Sequence, residues 1–217
     1  MGCSASTQYG GHGGESPTHQ VTLTQAFYMG RYEVTQAQWT AMRWSNPSQF
    51  QGASYPDAAS RPVERVSWNM IQGFNSATGL RLPTEAEWEY AYRAGTTTAF
   101  HSYPAQPTGF NDDTLLGNIA WFYPAAGGHT HVVGGKFANA LGLHDMAGNV
   151  YEWCQDWYGP YSSGSVTNPT GPVYGTYRLL RGGFWDGYSS SCRASARGGP
   201  AQGNLYEGIG FRAVRNP

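Results

Sequence analysis

Two histidines, His129 and His131, stand two residues apart in Gly127-Gly128-His129-Thr130-His131. At that spacing they could share one side of a strand and hold a metal, and the glycine-rich setting equally suits a solvated loop. Three cysteines, Cys3, Cys154 and Cys192, do not make a disulfide framework, and no spacing matches a zinc site. A Cys154–Cys192 bridge and two buried free thiols are both open. No nucleophile–base pair and no phosphate loop is visible. The chain instead offers aromatic and small polar side chains, with 8 Trp, 15 Tyr and 30 Gly in 217 residues. That composition suits non-covalent recognition: Tyr and Trp give large contact area at low entropy cost, and Ser and Gly give adaptable hydrogen bonds.

The elements that must position these groups are short. Charged residues are 12% of the chain and the formal net charge is -1, so there is no electrostatic footprint for nucleic acid. No apolar run is long enough to span a membrane, and no signal-peptide core is present. Gln20 to Thr24 alternates as a half-buried strand, and Ala26 to Val34 reads as a second. Thr35 caps a helix carrying Ala37, Trp39, Ala41 and Met42, which Asn46-Pro47 ends. Ser67 caps another through about Ala77, with Trp68, Ile71 and Phe74 on one face and Gly79 closing it. Thr84-Glu85-Ala86-Glu87 is a capping box, followed by a buried stripe of Trp88, Ala91 and Tyr92 and a stop at Gly95. Thr96 to Ala140 lacks regular signals, and the end of the chain is short strands and tight turns. The expectation is one α+β domain with few helices, small antiparallel sheets and high loop content.

An ordered set of motifs then narrows the reading. Tyr32-Glu33-Val34-Thr35 precedes Pro62-Val63-Glu64-Arg65-Val66-Ser67-Trp68 and Arg81-Leu82-Pro83-Thr84-Glu85-Ala86-Glu87-Trp88. Gly142-Leu143-His144-Asp145-Met146-Ala147-Gly148-Asn149-Val150-Tyr151-Glu152-Trp153 follows, then Arg181-Gly182-Gly183-Phe184-Trp185, Cys192-Arg193 to Arg197, and Gly210-Phe211-Arg212. In this order the chain resembles the formylglycine-generating-enzyme (sulfatase-modifying-factor) domain family. The resemblance implies a variant of the C-type lectin fold over residues 1–217. The family's oxidases bind copper through two thiolates after the Gly-Gly step, yet Phe184 to Ser191 contains no cysteine and Cys192 alone cannot supply a pair. No copper and no enzyme activity are expected. A further branch makes sulfur–carbon bonds with iron held by a separate domain, and no histidine triad here suggests it.

The pattern is nearer to members whose C-terminal segment is diversified by retroelements through adenine changes. Between the frame residues lie Phe184, Asp186, Gly187, Tyr188, Ser189, Ser190, Ser191, Ala194, Ser195, Gly198, Gly199 and Tyr206, all reachable from asparagine codons. Gln202 and Glu207 are not. The resemblance therefore implies a non-catalytic ligand-binding protein with residues 181–212 as its variable region. The candidate contacts are Phe184, Trp185, Asp186, Tyr188, Ser189, Ser190, Ser191, Tyr206 and Glu207, walled by the 118–131 loop, and the partner is a protein or cell-surface ligand. Trp185 also fits a core role, and Arg193, Arg197 and Arg212 fit structural hydrogen-bond hubs. A family calcium site would fall on Asp145, Gly148, Val150 and Glu152, oxygen donors suited to Ca²⁺. A turn in which Asp145 and Glu152 accept backbone N–H bonds is the other reading. The second family calcium site, at Asn118 and Ile119, lacks acidic partners here. Met1-Gly2-Cys3-Ser4-Ala5-Ser6 also matches an acylation pattern. The resemblance favours a secreted or cell-surface setting.

Overall fold

The computed structural model describes residues 1–2 and 14–217, so Cys3 to Ser6 of the acylation pattern lie outside the described residues. Three helices are set by their caps. In α1 (Gln36–Arg43), Thr35 accepts from the Gln38 amide and the Gln38 side chain accepts from the Thr35 amide. Only Gln36 and Trp39 of α1 are buried; Ala37, Ala41 and Met42 face outward. α2 (Trp68–Thr78) starts at Ser67, which accepts from the Met70 amide, and ends at left-handed Gly79. α3 (Glu85–Arg93) carries the Thr84/Glu87 capping box. Its left-handed stop is Ala94, one residue before the expected Gly95. Seven of its nine residues are buried, because its polar side also faces protein.

The strands are β1 (Val21–Thr22), β2 (Tyr28–Met29), β3 (Ala120–Trp121), β4 (Ala147–Gly148), β5 (Tyr151–Trp157), β6 (Val166–Thr167), β7 (Arg178–Arg181), β8 (Ile209–Gly210) and β9 (Val214–Arg215). The central sheet has the order β7-β5-β8, with β5 antiparallel to β7 and parallel to β8. β1–β6 and β3–β4 are parallel pairs and β2–β9 is antiparallel, so the small sheets are mixed. Parallel pairing needs a long crossover, and the long irregular connections of this chain supply it. The 20–24 and 26–34 strands shrink to two residues each because their pairing partners are equally short.

Two apolar clusters hold these elements. One gathers Trp88, Tyr92, Phe100, Leu116, Met146 and Cys192, the other Trp39, Val63, Ile71, Phe74, Trp153 and Phe211. Cys154 and Cys192 are both buried and free, which settles the open pairing between them. Four arginines of the C-terminal segment complete the scaffold. Arg181 bonds Glu89, and Arg193 grips Glu15 with both Nη atoms at 2.8 Å. Arg197 holds Glu85 at 2.6 and 2.7 Å, and Arg212 meets Glu152 at 2.8 Å. Planar guanidinium forks can satisfy a carboxylate and loop carbonyls together, which suits a fold built mainly of loops. Arg212 does so, donating also to the Gly30 and His144 carbonyls.

Candidate ligand-binding face

The segment after β7 is anchored at its base and open at its tip. Gly182 and Gly183 have φ of +97° and +77°, a left-handed backbone that turns the chain outward. A side chain at Gly183 would meet Cys192 Sγ at 2.7 Å, so glycine is needed on two grounds. The Gly148 amide donates to the Gly182 carbonyl and the Trp185 amide to the Asn149 carbonyl, tying the segment to the β4–β5 turn. Gly148, at φ +81°, lies so near the Trp121 carbonyl that a Cβ would sit 2.1 Å from it. Below the segment, the short 3-10 turn Ser189–Cys192 returns the chain to buried Arg193.

Above this base the candidate residues divide. Asp186 is exposed, Tyr188 is 70% exposed and Tyr206 37%. Phe184, Trp185, Ser189, Ser190, Ser191 and Glu207 are half-buried. Phe184 stacks on Tyr151 with ring centroids 5.1 Å apart and meets Tyr206 edge-on at 5.7 Å. Trp185 directs Nε1–H to the Glu207 carbonyl at 3.0 Å and meets the Phe50 ring edge-on at 5.4 Å. Trp185 and Glu207 thus brace the face from beneath, while Asp186, Tyr188 and Tyr206 present free surface.

The 118–131 loop packs against this segment: the Tyr123 amide donates to the Gly187 carbonyl and its ring meets Tyr188 at 5.6 Å. A second support was not legible in the sequence. Phe50, Tyr55 and His129 make a chain of edge-on rings ending at Trp185. Glu64 sets its position, because its Oε1 accepts from the Phe50 amide at 3.1 Å. Burial pushes the Glu64 carboxyl up to about 7. The aromatic content of the 46–62 loop was a visible signal, but nothing in its spacing pointed toward residue 185.

The two histidines are half-buried and held by contacts within the protein. His131 stacks on Trp121 at 3.7 Å and bonds the Ala126 carbonyl, and Arg61 lies 3.2 Å from His129 Nδ1. Among the described residues no group of three or more His, Cys, Asp or Glu could hold a metal. Burial pushes the Cys192 thiol up to about 12, which keeps it protonated and weakly nucleophilic.

At the candidate cation site, Asp145 adopts a left-handed φ of 57° and is buried. Its Oδ2 accepts from the Gly134 amide at 2.6 Å, and its Oδ1 is buried with no hydrogen-bond partner. Burial raises the carboxyl to about 6. Glu152 meets Arg212 and the Trp88 Nε1–H, at 2.7 Å for the latter, rather than backbone amides. The orphaned Asp145 oxygen fits a hard cation, and Glu152 would reach one only through lone pairs left over from Arg212 and Trp88.

A loop-rich α+β scaffold, pinned by buried arginines and presenting a small aromatic face, defines a C-type lectin-like fold of the formylglycine-generating-enzyme type. The chain belongs to the sulfatase-modifying factor enzyme 1-like domain family, whose model matches residues 3–217. It superposes on Treponema denticola variable protein 1 with a TM-score of 0.84 at 31% identity, covering 95% of this chain and 89% of that one. It is 39% identical over 165 residues to serine/threonine-protein kinase pkn1 of Chlamydia pneumoniae, covering 74% of this chain but 25% of that protein. With the formylglycine-generating enzyme of Streptomyces coelicolor the identity is 35% over 167 residues, covering 72% of this chain and 53% of the enzyme.

Proposed function

We propose that this chain is a non-catalytic ligand-binding protein whose partner, a protein or cell-surface ligand, is met by the face built on Asp186, Tyr188 and Tyr206. The observation that carries this reading is the division of labour after Gly183. Trp185, Cys192 and Arg193 serve the fold, whereas Asp186, Tyr188 and Tyr206 are exposed beside them. Such side chains can change without disturbing the frame, as a diversified segment requires. The likeness to a solved variable protein at 31% identity supports the same reading. The absence of cysteine from Phe184 to Ser191 speaks against copper-dependent oxidation, as does a buried, protonated Cys192. Nothing in the exposed face favours nucleic acid.

The test is a triple variant, Asp186→Ala, Tyr188→Ala and Tyr206→Ala, compared with wild type on an array of bacterial and host surface proteins. The expected result is at least one target captured by wild type and lost by the variant, with the thermal midpoint unchanged. Identical capture, or collapse of the fold, would contradict the reading. Thiol-dependent oxygen uptake with Cu(I) and a cysteine peptide should be absent, and its presence would return the chain to the oxidases.

We also propose a structural Ca²⁺ held by Asp145 with the carbonyls of Gly148 and Val150 and the charge of Glu152. Hard oxygen donors suit it, and a cation would relieve the buried Asp145 Oδ1. Calcium should raise the thermal midpoint of wild type and leave Asp145→Ala unmoved. No shift for wild type, or equal shifts for both, would remove the ion from the account.

A further inference from the structure

A separate cavity of about 920 Å³ lies between the 102–107, 117–118 and 134–144 segments, and none of residues 184–207 lines it. Its charge is one-sided: Arg31 and Lys136 line it beside His144, and no Asp or Glu does. Lys136 is already engaged. Its Nζ donates to the Gly117 carbonyl at 2.5 Å, lies 3.8 Å from the Trp121 ring centroid and faces Asp145 behind the Gly134 amide. Arg31 is different. It is exposed and has no ion-pair partner among the described residues. Its contacts are His144 Nε2 at 3.5 Å and the Tyr32 ring at 5.5 Å. His144 directs Nδ1 to the Lys136 carbonyl at 2.8 Å, which makes that nitrogen the donor and leaves Nε2 beside Arg31.

The cavity also has an aromatic lining. Phe137 stacks on Tyr103 with centroids 5.6 Å apart and planes 17° from parallel, and Phe137 is 51% exposed. Asn118 Nδ2 lies 3.3 Å from the Tyr103 hydroxyl, adding an amide at the rim. A guanidinium without a carboxylate can form two parallel bonds to a planar oxyanion. An exposed ring lining an open cavity offers a platform for the CH-bearing face of a sugar. We propose that this cavity binds an acidic saccharide, with its carboxylate or sulfate on Arg31, which His144 Nε2 helps position, and a sugar ring on Phe137.

The test titrates the full chain by calorimetry with a glucuronate-containing chondroitin disaccharide, its 6-sulfated form, neutral N-acetyllactosamine and sodium sulfate. At least one acidic disaccharide should bind about tenfold or more tighter than the neutral sugar and the inorganic ion. A preference between the two acidic forms identifies carboxylate or sulfate as the recognised group. Arg31→Gln and Phe137→Ala, both at exposed positions, should each weaken binding about tenfold without moving the thermal midpoint. No saturable binding at millimolar ligand would overturn the proposal. So would equal affinity for N-acetyllactosamine or sodium sulfate, or indifference to either substitution.

Discussion

At the scale of single residues, the chain spends its few charges inside. Arg181, Arg193 and Arg212 are at most 2% exposed, and each meets a buried glutamate. Removing one partner of such a pair leaves an uncompensated charge in a dry site. Arg212→Ala should therefore cost about 3–5 kcal/mol of stability, read as a lower urea midpoint. Glu64 gives a prediction of opposite sign. Burial raises its carboxyl from the ordinary 4.5 to about 7, so the folded state keeps a proton that the unfolded chain has lost. Its contribution is present below pH 4.5 and is lost as pH rises through about 7. Glu64→Gln removes that dependence. Between pH 4 and pH 8 the variant should gain about 3 kcal/mol relative to wild type in urea titrations, and parallel pH profiles would contradict this.

At the scale of elements, the helices were legible because their caps are local chemistry. Thr35, Ser67 and Thr84 each accept from an amide three residues on, where the sequence places them. Thr84→Ala should cost about 1 kcal/mol, seen as a small fall in the urea midpoint with an unchanged slope. The strands were less legible because most of their partners lie far away in sequence. β1 pairs with β6 and β5 with β8, and no local periodicity announces a two-residue pairing. The 96–140 stretch read as featureless, yet it holds a 3-10 turn at Asp113–Asn118 and β3. Its backbone groups are met by distant segments, as when the Ala194 amide donates to the Ala99 carbonyl. The exposed Ala37 and Met42 of α1 show the limit of reading apolar type as burial, since this eight-residue helix buries only one edge.

At the scale of the whole molecule, the motif order gave the family and the fold, and the C-terminal segment gave the exposed side chains. What stayed hidden was the support. Phe50 and Tyr55 reach Trp185 through a loop whose course depends on Glu64, a contact across more than a hundred residues of sequence. The central claim is that Asp186, Tyr188 and Tyr206 can vary on a frame that does not depend on them. The direct measurement is a surface-display library randomised at those three positions, sorted first for folding by thermal challenge and then for binding to unrelated proteins. Most members should retain the wild-type thermal midpoint, and sorting should yield distinct binders to distinct targets. A library that mostly unfolds, or that folds and gives no binder, would contradict the account.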